Sequence, residues 1–130
     1  KKFVQEIRDS EIDKAVGESI TVDIFAEGDA VEVVGTTKGK GFQGVVKRYN
    51  FQGVGGQTHG QHNRLRHPGS IGACSWPSRV FKGMRMGGRM GTDRVKIQNL
   101  KVMRIVADKN LILVSGSVPG AKNGYVYLEK

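Results

Sequence analysis

Apolar and polar residues alternate at both ends of this chain of 130 residues and lose that order in between. In S-I-T-V-D-I-F-A, Ile20, Val22, Ile24 and Ala26 alternate with polar neighbours, Phe25 excepted, which predicts a strand with one buried face. E-G-D-A-V-E-V-V-G predicts a Gly-Asp turn followed by a strand carrying Val31 and Val33. Further on, V-K-I-Q-N-L-K-V-M-R-I-V and L-I-L-V flank A-D-K-N, two β-rich runs around a turn and so a hairpin. S-G-S-V-P-G-A-K-N-G then reads as a loop and Y-V-Y-L-E-K as a last strand. S-E-I-D-K-A-V suggests one helical turn with Ser10 as its N-cap. Short strands separated by turn signals predict a mainly β fold, a small barrel or sandwich.

The middle of the chain follows neither period. Residues 37–91 hold thirteen of the nineteen glycines and all three histidines, with G-F-Q-G-V-V-K-R-Y-N-F as the sole candidate for a regular element, a short helix. Fifty-five residues far exceed an ordinary connection, and a segment that long is functional or disordered. The organisation expected is therefore a β core from residues 1–36 and 92–130, with 37–91 inserted between its strands as a basic, glycine-rich extension.

Charge sharpens this division. Residues 1–36 carry four lysines or arginines against nine acids, a net of −5; residues 37–91 carry ten cations and no acid; residues 92–130 carry seven against three, a net of +4. The total of +9, with an isoelectric point near 9.9, favours polyanionic partners. Ten like charges with few aliphatic side chains cannot offset the entropy of their own ordering, so the extension needs a negative partner to order it. The length allows one modest core. The single cysteine, Cys74, leaves no internal disulfide and suits a reducing compartment such as the cytoplasm. No apolar run approaches the roughly 20 residues of a membrane span, and the first ten residues lack the apolar block of a signal peptide.

The residue types of the extension fit nucleic acid. Lys38, Lys40, Lys47, Arg48, Arg64, Arg66, Arg79, Lys82, Arg85 and Arg89 neutralise phosphates, and His59, His62 and His67 are further candidates for phosphate or base contact. Phe42, Tyr49, Phe51, Trp76 and Phe81 are interleaved with the cations and offer stacking surfaces to unpaired bases. Met84, Met86 and Met90 are flexible fillers. Gly39, Gly41, Gly83, Gly87, Gly88 and Gly91 let backbone pass close to a ligand.

Enzymatic readings fit less well. T-H-G-Q-H-N-R-L-R-H with Cys74 downstream contains metal-ligating residue types, but no C-x-x-C or H-E-x-x-H spacing, so no metal is expected. A Cys74-histidine nucleophile would have no acid in the block to orient the histidine. G-T-T-K-G-K-G lacks phosphate-loop spacing, with Gly41 where the magnesium-binding hydroxyl belongs. G-R-M-G matches the GXXG of KH domains without the helices that give that motif meaning. No cofactor or small-molecule substrate is expected. The alternatives weighed against a structural RNA-binding role are a hydrolase using the histidines and Cys74, and a free-standing nucleic-acid module of the OB type.

T-T-K-G-K-G-F-Q-G-V-V-K-R-Y-N-F, T-H-G, H-P-G-S-I-G, R-V-F-K-G-M-R-M-G-G-R-M-G and N-L-I-L-V-S-G-S-V-P-G occur in that order between Gly35 and Gly120. Together they resemble the bacterial type of the large-subunit ribosomal protein three family. The resemblance implies a β-barrel like those of translation factors and a basic extension entering large-subunit ribosomal RNA toward the peptidyl transferase centre. It further implies an early role in subunit assembly, with that RNA and neighbouring large-subunit proteins as partners, and no enzymatic activity. Relatives begin with a segment rich in Lys, Gly, Met and Thr that adds strands to the barrel. None precedes Lys1, so the barrel is expected to be incomplete or closed by a different arrangement. Many relatives carry a glutamine, methylated in some, in the stretch matching Ser70 to Ser78; Ala73, Cys74 and Ser75 stand there instead, so the modification is not expected, and Trp76 is a candidate for stacking at the tip.

Overall fold

The computed structural model describes residues 3–8, 14–56, 59–60 and 62–130. It is mainly β, with strands β1 (Ala30–Thr36), β2 (Phe42–Gln43), β3 (Gly88–Arg89), β4 (Arg94–Val106), β5 (Leu111–Val114) and β6 (Val126–Glu129). Among the described residues there are also one short helix, α1 (Val45–Tyr49), and 3-10 turns at Val22–Ile24 and Ala107–Lys109. Strand neighbours run β5-β4-β1-β6 in a four-stranded sheet, and β2 pairs with β3 separately. The larger sheet is open, with β5 and β6 as its outer strands. No helix among the described residues is long and apolar enough to cross a membrane.

The chain divides into two compact units. The first takes residues 1–30 and 101–115 and contains the paired part of the predicted hairpin. Val102↔Val114, Arg104↔Leu113, Ile105↔Ile112 and Val106↔Leu111 are paired, with the register shifting between Val102 and Arg104. Asn110 closes the turn at φ 50, its N–H donating to the Ala107 carbonyl at 3.0 Å, as Asn in a left-handed position allows.

Residues 20–26 do not form the expected strand. Val22–Ile24 is a 3-10 turn, and Ile20 and Ile24 are exposed. The N–H of Val22 donates to Asn110 Oδ1 at 3.0 Å, that of Phe25 to the Val22 carbonyl at 3.1 Å and that of Ala26 to Asp29 Oδ2 at 2.9 Å, while Thr21 Oγ1 donates to Asp23 Oδ2 at 2.8 Å. Local Asp and Asn acceptors thus take the donors a sheet ladder would need. Half-burial falls on Val22 and Phe25, three residues apart, so Phe25, the exception to the alternation, was the informative residue. The helical turn expected at S-E-I-D-K-A-V, with Ser10 as cap, lies mostly outside the described residues.

The second unit takes residues 31–100 and 116–130. Its core is small and rich in valine, with Val31, Val33, Val34, Val45 and Leu100 buried. β-Branched side chains pack well on a pleated surface, and burial on both parities of β1 marks an inner strand. Along β4 the inward phase passes from Val95 and Ile97 to Leu100, a one-residue slip at Asn99, which sits at φ 61.

β1 and β6 pair so that Glu32 lies directly opposite Glu129, a repulsive arrangement on its own. Lys96 resolves it, with Nζ 2.5 Å from Glu32 Oε2 and 2.7 Å from Glu129 Oε2, and Gln98 Nε2 donates to Glu32 Oε1 at 2.9 Å. The hydrogen bond from Lys96 holds the Glu32 carboxyl below its ordinary range, and those to Glu129 and Glu32 hold the Lys96 ammonium above its own. The Glu32 contribution is present above the normal carboxylate range and is lost as pH falls through the depressed value; the Lys96 contribution is lost as pH rises through the raised one. Lys96→Met is therefore expected to lower the thermal midpoint at pH 7 modestly, with the gap to the parent closing as the carboxylates protonate. A gap that is the same at pH 7 and pH 3 would remove the charge explanation.

Candidate nucleic-acid interface

Thr37 and Thr92 face each other where residues 37–91 begin and end, with Thr92 in the left-handed region at φ 61. Thr37 N–H donates to the Asp93 carbonyl at 2.9 Å, Thr92 N–H to the Thr37 carbonyl at 3.2 Å and Asp93 N–H to Thr37 Oγ1 at 3.1 Å. Lys40 N–H to the Met90 carbonyl at 2.8 Å and Met90 N–H to the Gly41 carbonyl at 3.0 Å continue the contact outward. Phe42↔Arg89 and Gln43↔Gly88 then form the β2–β3 ladder. A two-stranded neck thus joins the two ends of residues 37–91. Sequence reasoning allowed this block a helix only, because a ladder built on glycine carries no alternation; the flanking T-T and G-T-D were the available signal.

Four of the six glycines expected to admit a ligand are approached by the chain itself. A β-carbon on Gly39 would lie 2.7 Å from Thr92 Oγ1, on Gly87 3.2 Å from Phe42 Cε1 and on Gly88 2.5 Å from Arg48 Nη1, while on Gly91, at φ 80, it would press into the Lys38 carbonyl. Gly41 and Gly83 face open space, at φ 66 and 82.

Beyond the neck, α1 starts at Gly44 and ends on Asn50 at φ 58, with Val45 as its buried residue. Arg48 is half-buried; its Nη1 donates to the Met86 carbonyl at 2.9 Å, so this cation fastens the returning strand to the helix. Its guanidinium also lies 5.1 Å from the Tyr49 ring centroid, and that of Arg85 lies 5.7 Å from it. Arg79 lies 5.1 Å from the Phe81 ring. In the loop between, Val54 N–H donates to the Leu65 carbonyl at 3.1 Å, and His67 Nε2 donates to the Asn63 carbonyl at 3.0 Å. His59 and His62 are exposed, as is the Cys74 thiol. No three His, Cys, Asp or Glu side chains gather into a metal-binding group among the described residues.

The expected set is thus displayed to solvent. Lys38, Lys40, Phe42, Lys47, His59, His62, Arg64, Arg66, His67, Trp76, Arg79, Lys82, Arg85 and Arg89 are all exposed, Trp76 at 89% and Phe42 at 79%; Arg48 alone is half-buried. Among the described residues of 37–91 only Val45 is buried, and none of the ten cations makes an ion pair. Such a surface has exposed aromatic planes, uncompensated positive charge and no apolar interior. It is suited to a polyanion carrying flat bases.

A family model described as Ribosomal protein L3 matches residues 4–110. The protein described as large ribosomal subunit protein uL3 of Salinibacter ruber is 58% identical over 131 aligned residues, covering the whole of this chain. The chain spans 63% of that relative's length.

Proposed function

The chain belongs to the ribosomal protein L3 family, and from that premise we infer that it is a structural constituent of the large ribosomal subunit in the cytoplasm and not an enzyme. The observation that carries the RNA reading is the surface of residues 37–91: among the described residues none of its ten cations makes an ion pair and only Val45 is buried. Large-subunit ribosomal RNA supplies the missing half of that interior, and its phosphates replace the absent carboxylates. In this reading the open sheet belongs to a β-barrel of the translation-factor type. The extension reaches toward the peptidyl transferase centre, supports subunit assembly, and leaves peptide-bond chemistry to the RNA. Neighbouring large-subunit proteins are the further partners.

A salt series of binding to large-subunit ribosomal RNA fragments tests this. Arg66→Ala, Arg85→Ala and Arg89→Ala are each expected to weaken binding and make the logarithmic salt dependence shallower by about one unit. Arg48→Ala is expected to act differently, loosening the Met86 to Gly88 segment and lowering stability with the RNA-free protein alone. Unchanged slopes in all three exposed variants, or no co-sedimentation with large subunits, would sink the reading.

A further inference from the structure

A cavity of about 510 Å³ lies beside the neck, lined by Thr37, Lys38, Lys40, Met90, Gly91, Asp93, Val118 and Gly120. That volume falls within the range of about 300–1,000 Å³ typical of small-ligand sites. Asp93 is the one acid on its wall, just past a run of 55 residues that contains none. No hydrogen bond or ion pair among the described residues engages its carboxylate. A bare carboxylate beside an RNA-binding surface repels phosphate, so its useful partner there is a hydrogen-bond donor.

The cavity walls are held in place. Asp93 is bonded to Thr37 through both its N–H and its carbonyl, which fixes the root of the side chain. On the other wall, a β-carbon on Gly120 would lie 2.7 Å from the Thr36 carbonyl and one on Gly35 2.9 Å from Pro119 Cγ, so the Val118 to Gly120 turn is seated against the end of β1. Val118 and Met90 supply apolar contact suited to an aromatic plane.

The geometry points to this cavity as the seat of one unpaired guanine of the bound RNA. An ionised carboxylate has two acceptor oxygens and no donor. Among the four RNA bases, guanine alone presents two adjacent donors on one edge, N1–H and the N2 amine, which match both oxygens; cytosine and adenine offer a single exocyclic amine there, and uracil one ring N–H. Lys38 and Lys40 take the flanking phosphates, and the walls above take the ring. The inference rests on the RNA reading and specifies a base where that reading specifies only charge and shape.

The test uses the 5′-monophosphates of guanosine, adenosine, cytidine, uridine and xanthosine, with the backbone amide signals of Gly91 and Gly120 followed by NMR. Guanosine monophosphate is expected to move both signals saturably and to bind about tenfold more tightly than the other three RNA nucleotides. Asp93→Asn, which turns one acceptor into a donor, is expected to lose that preference and favour xanthosine monophosphate, whose edge has a donor and an acceptor. Lys40→Gln is expected to weaken all five alike and keep the order. Equal responses to the four RNA nucleotides, no response, or a guanine preference that survives Asp93→Asn would overturn the assignment. The same samples titrated with a large-subunit ribosomal RNA fragment separate the two readings. RNA binding without guanine preference overturns only the guanine seat. Guanine preference without RNA binding overturns only the ribosomal RNA reading.

Discussion

Replacing Arg79, Lys82, Arg85 and Arg89 together by glutamine is expected to lower affinity for a large-subunit ribosomal RNA fragment on the order of a thousandfold at about 0.1 M salt. Each neutralised phosphate releases roughly 0.7 to 0.9 of a counterion, so each lost contact costs about five- to eightfold at that salt, and four multiply. The logarithmic salt slope should become shallower by about three units. All four side chains are exposed and, among the described residues, none pairs with an acid, so the thermal midpoint of the free chain should hardly move. Binding curves across a salt series, with thermal melts of the same samples, check both halves. An unchanged slope with intact folding would show that RNA is not gripped by this stretch.

Gly91→Ala is expected to cost roughly 3 kcal/mol or more of stability. Part of this is the left-handed backbone at φ 80, and the rest is collision of the new methyl with the Lys38 carbonyl. The carbonyl has little freedom to yield, because Thr37 to Asp93 on one side and Lys40 to Met90 on the other are hydrogen-bonded across the neck. Gly83 has a similar φ of 82 but open space around it, so Gly83→Ala should cost only about 1 kcal/mol. Urea unfolding of the two variants compares them directly, and hydrogen exchange at the Met90 and Thr92 amides reports whether the neck has opened. Equal costs would mean that backbone conformation alone accounts for both.

What was readable beforehand followed from how each element is stabilised. β1 and the β4–β5 hairpin rest on alternating aliphatic residues and a turn of Asp, Lys and Asn, and both formed where that pattern stood. At Val22–Ile24 the same alternation misled, since the Asn110 and Asp29 acceptors that capture the Val22 and Ala26 donors lie partly across the chain and leave no periodic trace. The neck escaped for a similar reason: its register is fixed by main-chain bonds and by the Thr37 and Thr92 side of the root, with Gly88 and Arg89 supplying no apolar face. Composition set residues 37–91 apart from the rest of the chain, because exclusion of acids over 55 positions is a property of the string itself. It did not distinguish Arg48 from its neighbours. The difference between a cation that holds the chain to itself and one displayed to solvent appears only when Met86 and Gly88 are brought back beside α1.

The outer strand β5 has a consequence for the history of each copy in the cell. Its sequence L-I-L-V has no charge and no proline, and Leu111 and Leu113 remain 52% and 54% exposed. A strand of this kind at a sheet edge is a template on which another copy can pair. Pairing between copies rises with the square of their free concentration, whereas the capture by RNA proposed above would rise only in proportion to it. Synthesis in step with RNA supply therefore favours assembly, and a surplus of unbound chain tips the race toward precipitation.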